Sequence, residues 1–340
     1  MENPPSATAA PAPEVPIIQV QGLTKTFRTY KKQPGFRGAV RGLFHRKYEQ
    51  LTAVKDVTFK IGEGELVGFL GPNGAGKTTT LKMLAGLLYP SSGEARVLGY
   101  TPWERPDAYR RQFALVLGQK NQLWWDLPAR ESFELNAKIY GIGEAEMEKR
   151  ISEMTELLRV KDKLDVNVRE LSLGERMKME LVAALLHRPK VLFLDEPTIG
   201  LDVVSQKTVR EFLRAYNTTR KTTILLTSHY MDDIKELCRR VIIIDHGVIF
   251  FDGQLTDVLD RFADFKVVTI QCGDDAAPRS SSDLAKYGEL IEQNMGAIKL
   301  KVKRDRVIPV CKALLDELPV TDIDIQEVPI EDVIRQIFAR

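Results

Sequence analysis

The chain has 340 residues, 44% hydrophobic and 28% charged, which excludes disorder, collagen-like repeats and low complexity for the whole and fits about two domains. Its 49 basic and 47 acidic residues leave a net charge of +2, so bulk electrostatics neither demand nor exclude a polyanionic partner. No apolar run approaches the roughly 20 residues of a membrane-spanning helix, and the scattered Cys238, Cys272 and Cys311 lack the close pairing of a zinc or redox site; a chain that does not itself cross a bilayer, with reduced thiols, is expected.

Residues 1–16 are rich in proline and alanine, with no basic start and no apolar stretch, and are expected to form a flexible tail instead of a secretory signal. Apolar alternation over residues 17–23 predicts a strand. The stretch that follows carries Lys25, Arg28, Lys31, Lys32, Arg37, Arg41, Arg46 and Lys47 without an acidic residue, interleaved with Tyr30, Phe36, Val40, Leu43 and Phe44. Residues 31–50 are therefore set apart as a basic insert, part of it a candidate amphipathic helix.

Short apolar runs at 66–70, 113–117, 191–194, 223–227 and 241–244, separated by helical stretches, predict the buried parallel strands of an α/β sheet. Strand signals vanish between residues 128 and 187, where helical periodicity predicts a helical insert, bounded at about 121–187. Beyond residue 255, Ile298, Leu300 and Val302 alternate with Lys299, Lys301 and Lys303, and Ile323 and Ile325 with Asp322 and Asp324, the period of half-exposed strands. A helix is predicted at 310–318, and Ile330, Val333, Ile334, Ile337 and Phe338 share one face of a last helix. The predicted organisation is a tail at 1–16, an α/β domain at 17–255 and a small α+β domain at 256–340.

Gly71-Pro72-Asn73-Gly74-Ala75-Gly76-Lys77-Thr78 matches the P-loop pattern and lies between a predicted strand and a predicted helix, the context this motif requires. Its glycines let backbone N–H groups turn inward around a phosphate, and the helix N-terminus adds partial positive charge. Lys77 is the candidate ligand of the β- and γ-phosphates, Thr78 of Mg²⁺, and Thr79 completes the cradle. At the carboxyl end of the 191–194 strand stand Asp195, a candidate metal ligand, and Glu196, free to take a proton from, or orient, a water attacking the γ-phosphate. Ser172 and Glu175 form an S-x-x-E box that predicts a helix starting at Ser172; by itself this says only that the helix is well capped.

The P-loop, Gln119 after the next strand, Leu171-Ser172-Leu173-Gly174-Glu175, Asp195-Glu196, Gly200-Leu201-Asp202 and Thr227-Ser228-His229, in that order, resemble the ATPase subunit of an ABC transporter over about residues 17–255. The resemblance implies a P-loop ABC ATPase core with a helical insert, an ATP hydrolase using ATP and Mg²⁺. It further implies that Ser172 and Gly174 touch the γ-phosphate of ATP held by a second copy in a head-to-tail dimer, that Gln119 senses the metal and the attacking water, and that His229 contacts the γ-phosphate near Glu196. Phe27 stands where the family's adenine-stacking aromatic lies, with Tyr30 as the alternative. The family usually has Gly and Gln where this chain has Leu173 and Glu175, and the capping-box geometry lets Glu175 turn back onto the Ser172 N–H.

The segment from Gln119 to Pro128, with Trp124 and Trp125 at its centre, the basic insert and the extra C-terminal domain resemble the bacterial branch in which such a subunit serves separate type-2 exporter permeases, viologen and drug exporters among them. The expected protein is thus a peripheral subunit on the cytoplasmic side of the cell membrane, partnered by integral-membrane permeases and by no nucleic acid. The alternatives are a soluble ABC ATPase remodelling a nucleic-acid or ribosomal partner, and the ATPase of an importer; one uninterrupted cassette without sustained heptads favours transport. Two adjacent tryptophans cannot both enter one core from a regular strand, so at least one is expected on an outer surface.

Overall fold

A computed structural model describes residues 16–30, 48–118, 122–272, 281–294 and 296–338. The chain divides between Asp252 and Gly253 into two compact units.

The first unit holds two sheets. Strands β1 (Ile18–Tyr30) and β2 (Tyr48–Ile61) pair antiparallel, and β4 (Ser92–Val97) pairs with the other edge of β1, giving the order β2-β1-β4. Strands β3 (Leu66–Leu70), β5 (Phe113–Leu117), β6 (Val191–Asp195), β7 (Thr223–Thr227), β8 (Arg240–Asp245) and β9 (Val248–Gln254) form the second, ordered β5-β6-β7-β3-β8-β9 and parallel from β5 through β8. Every residue of β6 and β7 is buried, as the unbroken apolar runs predict for strands covered on both faces. Ile18, Val20, Val57, Phe59, Phe69, Leu81 and Val97 make one core that joins the two sheets to the helix of the P-loop. Each fully buried side chain of this size stabilises the fold by about 1.5–3 kcal/mol.

Helix α1 (Lys77–Leu84) follows β3 directly. Between β5 and β6 the described residues contain α2 (Ala129–Tyr140), α3 (Glu144–Leu157) and α4 (Leu173–Leu185), with no named strand. Helix α4 buries Met177, Met179, Leu181, Val182 and Leu185 around most of its circumference and packs on both α2 and α3, which makes it the axis of the helical region. Helices α5 (Val203–Arg220) and α6 (Met231–Leu237) follow β6 and β7.

In the second unit β10 (Phe265–Cys272), β11 (Glu289–Asn294), β12 (Ala297–Lys303) and β13 (Val320–Glu327) form an antiparallel sheet ordered β11-β12-β10-β13. Ile298, Leu300 and Val302 of β12 are buried and the intervening lysines are not, the alternation the sequence shows. Their core also takes Val268, Ile270 and, from α8 (Val307–Glu317), Val310 and Leu314. Helix α7 (Leu255–Phe262) packs against α9 (Ile330–Phe338), whose Ile330, Val333, Ile334 and Ile337 are buried. On β13, Ile323 joins the core while Ile325 stays 46% exposed at the sheet edge. Cys238, Cys272 and Cys311 are free thiols, and burial pushes Cys238 well above the ordinary thiol range.

Among the described residues no helix is long and apolar enough to cross a membrane. Residues 1–15 of the tail expected at 1–16, residues 31–47 of the basic insert expected at 31–50, and Gln119 lie outside the described residues, as does the side chain of Tyr30.

Candidate functional site

The site is built where β3, β6 and β7 end side by side. After Leu70 the loop from Gly71 to Gly76 turns the chain into α1, and Ala75 N donates back to Pro72 O at 3.2 Å. Gly76, the N-cap, has φ 106°, and a Cβ there would stand 2.5 Å from Ala53 O of β2. Only glycine satisfies both conditions, so the neighbouring sheet fixes the loop's last turn. Lys77 is buried, its Nζ donating to the Gly71 carbonyl at 2.6 Å and the Pro72 carbonyl at 3.1 Å. Burial lowers its affinity for a proton from the ordinary lysine value, opposed by the Glu196 and Asp195 carboxylates.

Asp195 ends β6 with both oxygens engaged. Thr78 Oγ1 donates to Oδ2 at 2.8 Å, and Thr227 Oγ1, from the end of β7, donates to Oδ1 at 2.8 Å. Glu196 lies beyond the strand at φ 56°. The regular alternation of β6 therefore does not extend to Glu196. A non-glycine residue held there stores on the order of 1–3 kcal/mol of strain. Its backbone N–H donates to the Thr227 carbonyl and to Thr227 Oγ1, each at 3.1 Å. Its Oε1 is 2.7 Å from His229 Nε2, the two side chains being 17% and 33% exposed. Lys77, Thr78, Asp195, Glu196 and His229 are thus linked at one end of the sheet. Thr227, which binds both acids' segments, appears in the sequence only as part of Thr227-Ser228-His229 and carries no motif of its own.

Ser172 caps α4 as predicted: Glu175 N donates to Ser172 Oγ at 3.3 Å, and Ser172 N and Oγ donate to Glu175 Oε2 at 2.9 and 2.8 Å. The Ser172 amide first, then its hydroxyl and the charge of Lys163, hold the Glu175 carboxyl below the usual range. The carboxylate has turned back onto its own helix. Gly174 is buried against α5, where a Cβ would stand 2.5 Å from Ser205 Oγ. Among the described residues no hydrogen bond or ion pair joins Ser172 or Gly174 to the P-loop, and Ser172 is exposed beside Leu173, Val203 and Val204, which are 37%, 76% and 68% exposed.

Phe27 is half-buried on β1, paired with Leu51 of β2, two residues from the Ala53 that backs Gly76; Lys25 Nζ stands 5.2 Å from its ring centre. Thr79, in the first turn of α1, is half-buried. Trp124 and Trp125 are both on the surface, 49% and 44% exposed. Trp124 lines a groove of about 460 Å³ with Pro128, Arg130, Glu131, Leu135 and Lys138 of the helical region, whereas the Trp125 ring lies under the Arg176 guanidinium at 5.3 Å.

Two family descriptions match the chain: an ABC transporter family over residues 54–199, and the C-terminal domain of EvrA-like ABC transporters over 264–326. The chain is 35% identical to the ABC transporter ATP-binding protein NatA of Bacillus subtilis over 64% of its own length and 88% of that protein. It is 34% identical to the Nod factor export ATP-binding protein I of Burkholderia thailandensis over 73% of its own length and 80% of that protein. A solved ATP-binding subunit of an ABC transporter superposes with a TM-score of 0.60 at 30% identity, over 72% of this chain and 93% of that one. A parallel sheet with its P-loop, acids and histidine gathered at one end, in a chain that spans most of such relatives, has one reading: the chain belongs to the ATP-hydrolysing, ATP-binding subunits of ABC transporters.

Proposed function

We propose that this protein binds ATP with Mg²⁺ at the P-loop, closes head-to-tail on a second copy to hydrolyse it, and so powers export through separate permease subunits from the cytoplasmic side of the cell membrane. The observation that carries the reading is the linked set Thr78–Asp195–Thr227 and Glu196–His229, a metal-side trio and a water-side pair gathered at the ends of neighbouring strands. In this assignment the N–H groups of Gly71, Asn73, Gly74, Ala75 and Gly76 surround the phosphates, Pro72, which has no N–H to donate, shapes the loop between them, Lys77 moves from its loop carbonyls onto the β- and γ-phosphates, and Thr79 supports the α-phosphate side. Phe27 stacks on the base.

The donors fit Mg²⁺: a hydroxyl and a carboxylate oxygen converge at Thr78 and Asp195, and among the described residues no cluster of three or more His, Cys, Asp or Glu competes as an all-protein cage. Magnesium sites of this kind use one or two protein oxygens and complete their shell with phosphate and water. The ion, once bound, supplies neutralisation of phosphate charge. Glu196 accepts a proton from the attacking water or orients it, His229 holds Glu196 and reaches the γ-phosphate, and Gln119, outside the described residues, is assigned to metal and water sensing by the family resemblance alone.

Among the described residues no hydrogen bond or ion pair joins Ser172 or Gly174 to their own P-loop, and the exposed Leu173, Val203 and Val204 beside them form an apolar margin suited to a second copy. Across that contact they would meet the γ-phosphate held by the partner copy. The groove beside Trp124 is the proposed seat of a cytoplasmic permease helix. Affinity capture of the tagged chain from detergent-solubilised native membranes tests the reading. Multi-span permeases without a solute-binding protein are expected; ribosomes or nucleic acid in their place would overturn it.

A further inference from the structure

Asp233, on α6, touches neither the P-loop nor the two acids, yet its carboxylate is completely buried and fully used. Oδ2 accepts from Thr198 Oγ1 and, at 2.6 Å, from Ser228 Oγ, and Oδ1 accepts from Arg210 Nη1 of α5 at 3.1 Å. An ionised carboxylate is acceptor-only, so three converging donors suit it, and the Arg210 guanidinium balances its charge. Arg210 is in turn paired with Glu236 at 3.1 Å.

The origin of the donors gives this cluster its meaning. Thr198 is two residues beyond Glu196, in the loop after β6, and Ser228 is the residue before His229, in the loop after β7. One carboxylate therefore fastens the loop carrying the proposed base to the loop carrying its histidine partner. Ser228 Oγ also accepts from Tyr230 N at 3.0 Å, so the backbone is gripped on both sides of His229. Thr198 and Ser228 are themselves buried, and water cannot readily replace these bonds.

The geometry points to Asp233 as a positioning residue for hydrolysis: by clamping Thr198 to Ser228 it sets the separation of the two loops and thereby the 2.7 Å contact between Glu196 and His229. The inference rests on the roles proposed above for those two residues. It assigns Asp233 to the alignment of the attacking water and not to the binding of ATP, whose cradle it does not contact.

The test uses the full chain in the variants Asp233→Asn, Ser228→Ala, His229→Ala and Glu196→Gln, and the double variants Asp233→Asn/His229→Ala and Ser228→Ala/His229→Ala. ATP affinity, single-turnover hydrolysis and thermal unfolding are measured together. Asp233→Asn perturbs the buried Arg210 as well, so Ser228→Ala, which removes one hydroxyl, is the variant that isolates the clamp from folding. Both are expected to lower turnover by about 10- to 100-fold with ATP affinity retained, the scale of a small misalignment at a reacting centre. Neither should lower it further once His229 is alanine, because residues acting through one contact are not additive. An undiminished rate in Ser228→Ala and Asp233→Asn, alongside impaired Glu196→Gln and His229→Ala, overturns the clamp alone. The same fold-loss on the His229→Ala background also overturns it, showing a structural effect independent of the pair. Normal turnover in Glu196→Gln and His229→Ala overturns the underlying assignment.

Discussion

Thr227 holds Asp195 through its hydroxyl, donating to Oδ1 at 2.8 Å, and the same oxygen accepts the Glu196 N–H at 3.1 Å. One side chain thus fixes the proposed metal ligand and the backbone of the proposed base. Thr227→Val keeps shape and branching but leaves a buried carboxylate oxygen without its donor, a loss of about 1–3 kcal/mol. A melting temperature lowered by a few degrees together with a larger proportional loss of turnover is expected; calorimetry with a coupled ATPase assay reads both. Unchanged turnover would show that Asp195 and Glu196 hold their places without it.

Glu196→Gln preserves shape and removes the base. Loss of a positioned general base commonly lowers rates by about 10²- to 10⁴-fold. Binding should survive, since Lys77, Thr78 and the loop amides remain, and the blocked protein should accumulate as an ATP-bound dimer on gel filtration. Lys77→Ala, lacking the ammonium that now sits on Gly71 and Pro72 carbonyls, should lose binding and stay monomeric. Near-normal turnover in Glu196→Gln refutes its role, while a monomer in Mg-ATP counts against a shared site involving Ser172.

The parts of this site legible in the sequence are those whose chemistry is local. The P-loop is one contiguous stretch, and the Ser172–Glu175 cap closes within one helical turn. The clamp at Asp233 is not local: Thr198 lies 35 residues away and Arg210 lies 23 away, and no pattern marks them. Strands β6 and β7 were readable because both faces are buried, whereas β4 turns inward only Ala95 and Val97 among polar residues and gives no alternation of large side chains. Strand β2 is likewise obscured, its register against β1 broken where Asp56 adopts φ 49°. The turn at Glu196, with its N–H on Thr227 across the sheet, is a long-range feature that no local pattern marks.

The tryptophans divide between two tasks. Trp124 faces the groove of the helical region, while Trp125 carries Arg176 of α4 on its ring. Trp124→Ala should weaken association with the permeases while leaving the isolated subunit's melting temperature nearly unchanged, because the side chain is already half exposed. Trp125→Ala should act less on association. A destabilised Trp124→Ala subunit that still assembles normally would make the residue part of the fold and remove the groove as the docking site.

Glu180 gives a dependence on pH with a definite sign. It lies on α4 at 3% exposure, with Oε1 accepting Gln122 N at 3.1 Å and Oε2 buried without a partner among the described residues. Burial pushes its carboxyl up to about 7 from 4.5, against the pull of the Gln122 amide and the Arg176 charge. Between those values the folded chain keeps a proton that the unfolded chain releases, so the unfolded state binds fewer protons and stability falls as pH rises. The slope reaches at most about 1.4 kcal/mol per pH unit and levels off above about pH 7, where both states are ionised. Glu180→Gln removes the ionisation, so this component of the decline between about pH 5 and pH 7 should vanish, and the variant should be the more stable protein at about pH 8, by an amount on the order of 3 kcal/mol. Parallel melting curves across that range for the two proteins would show that the Glu180 carboxyl titrates alike in the folded and unfolded chains.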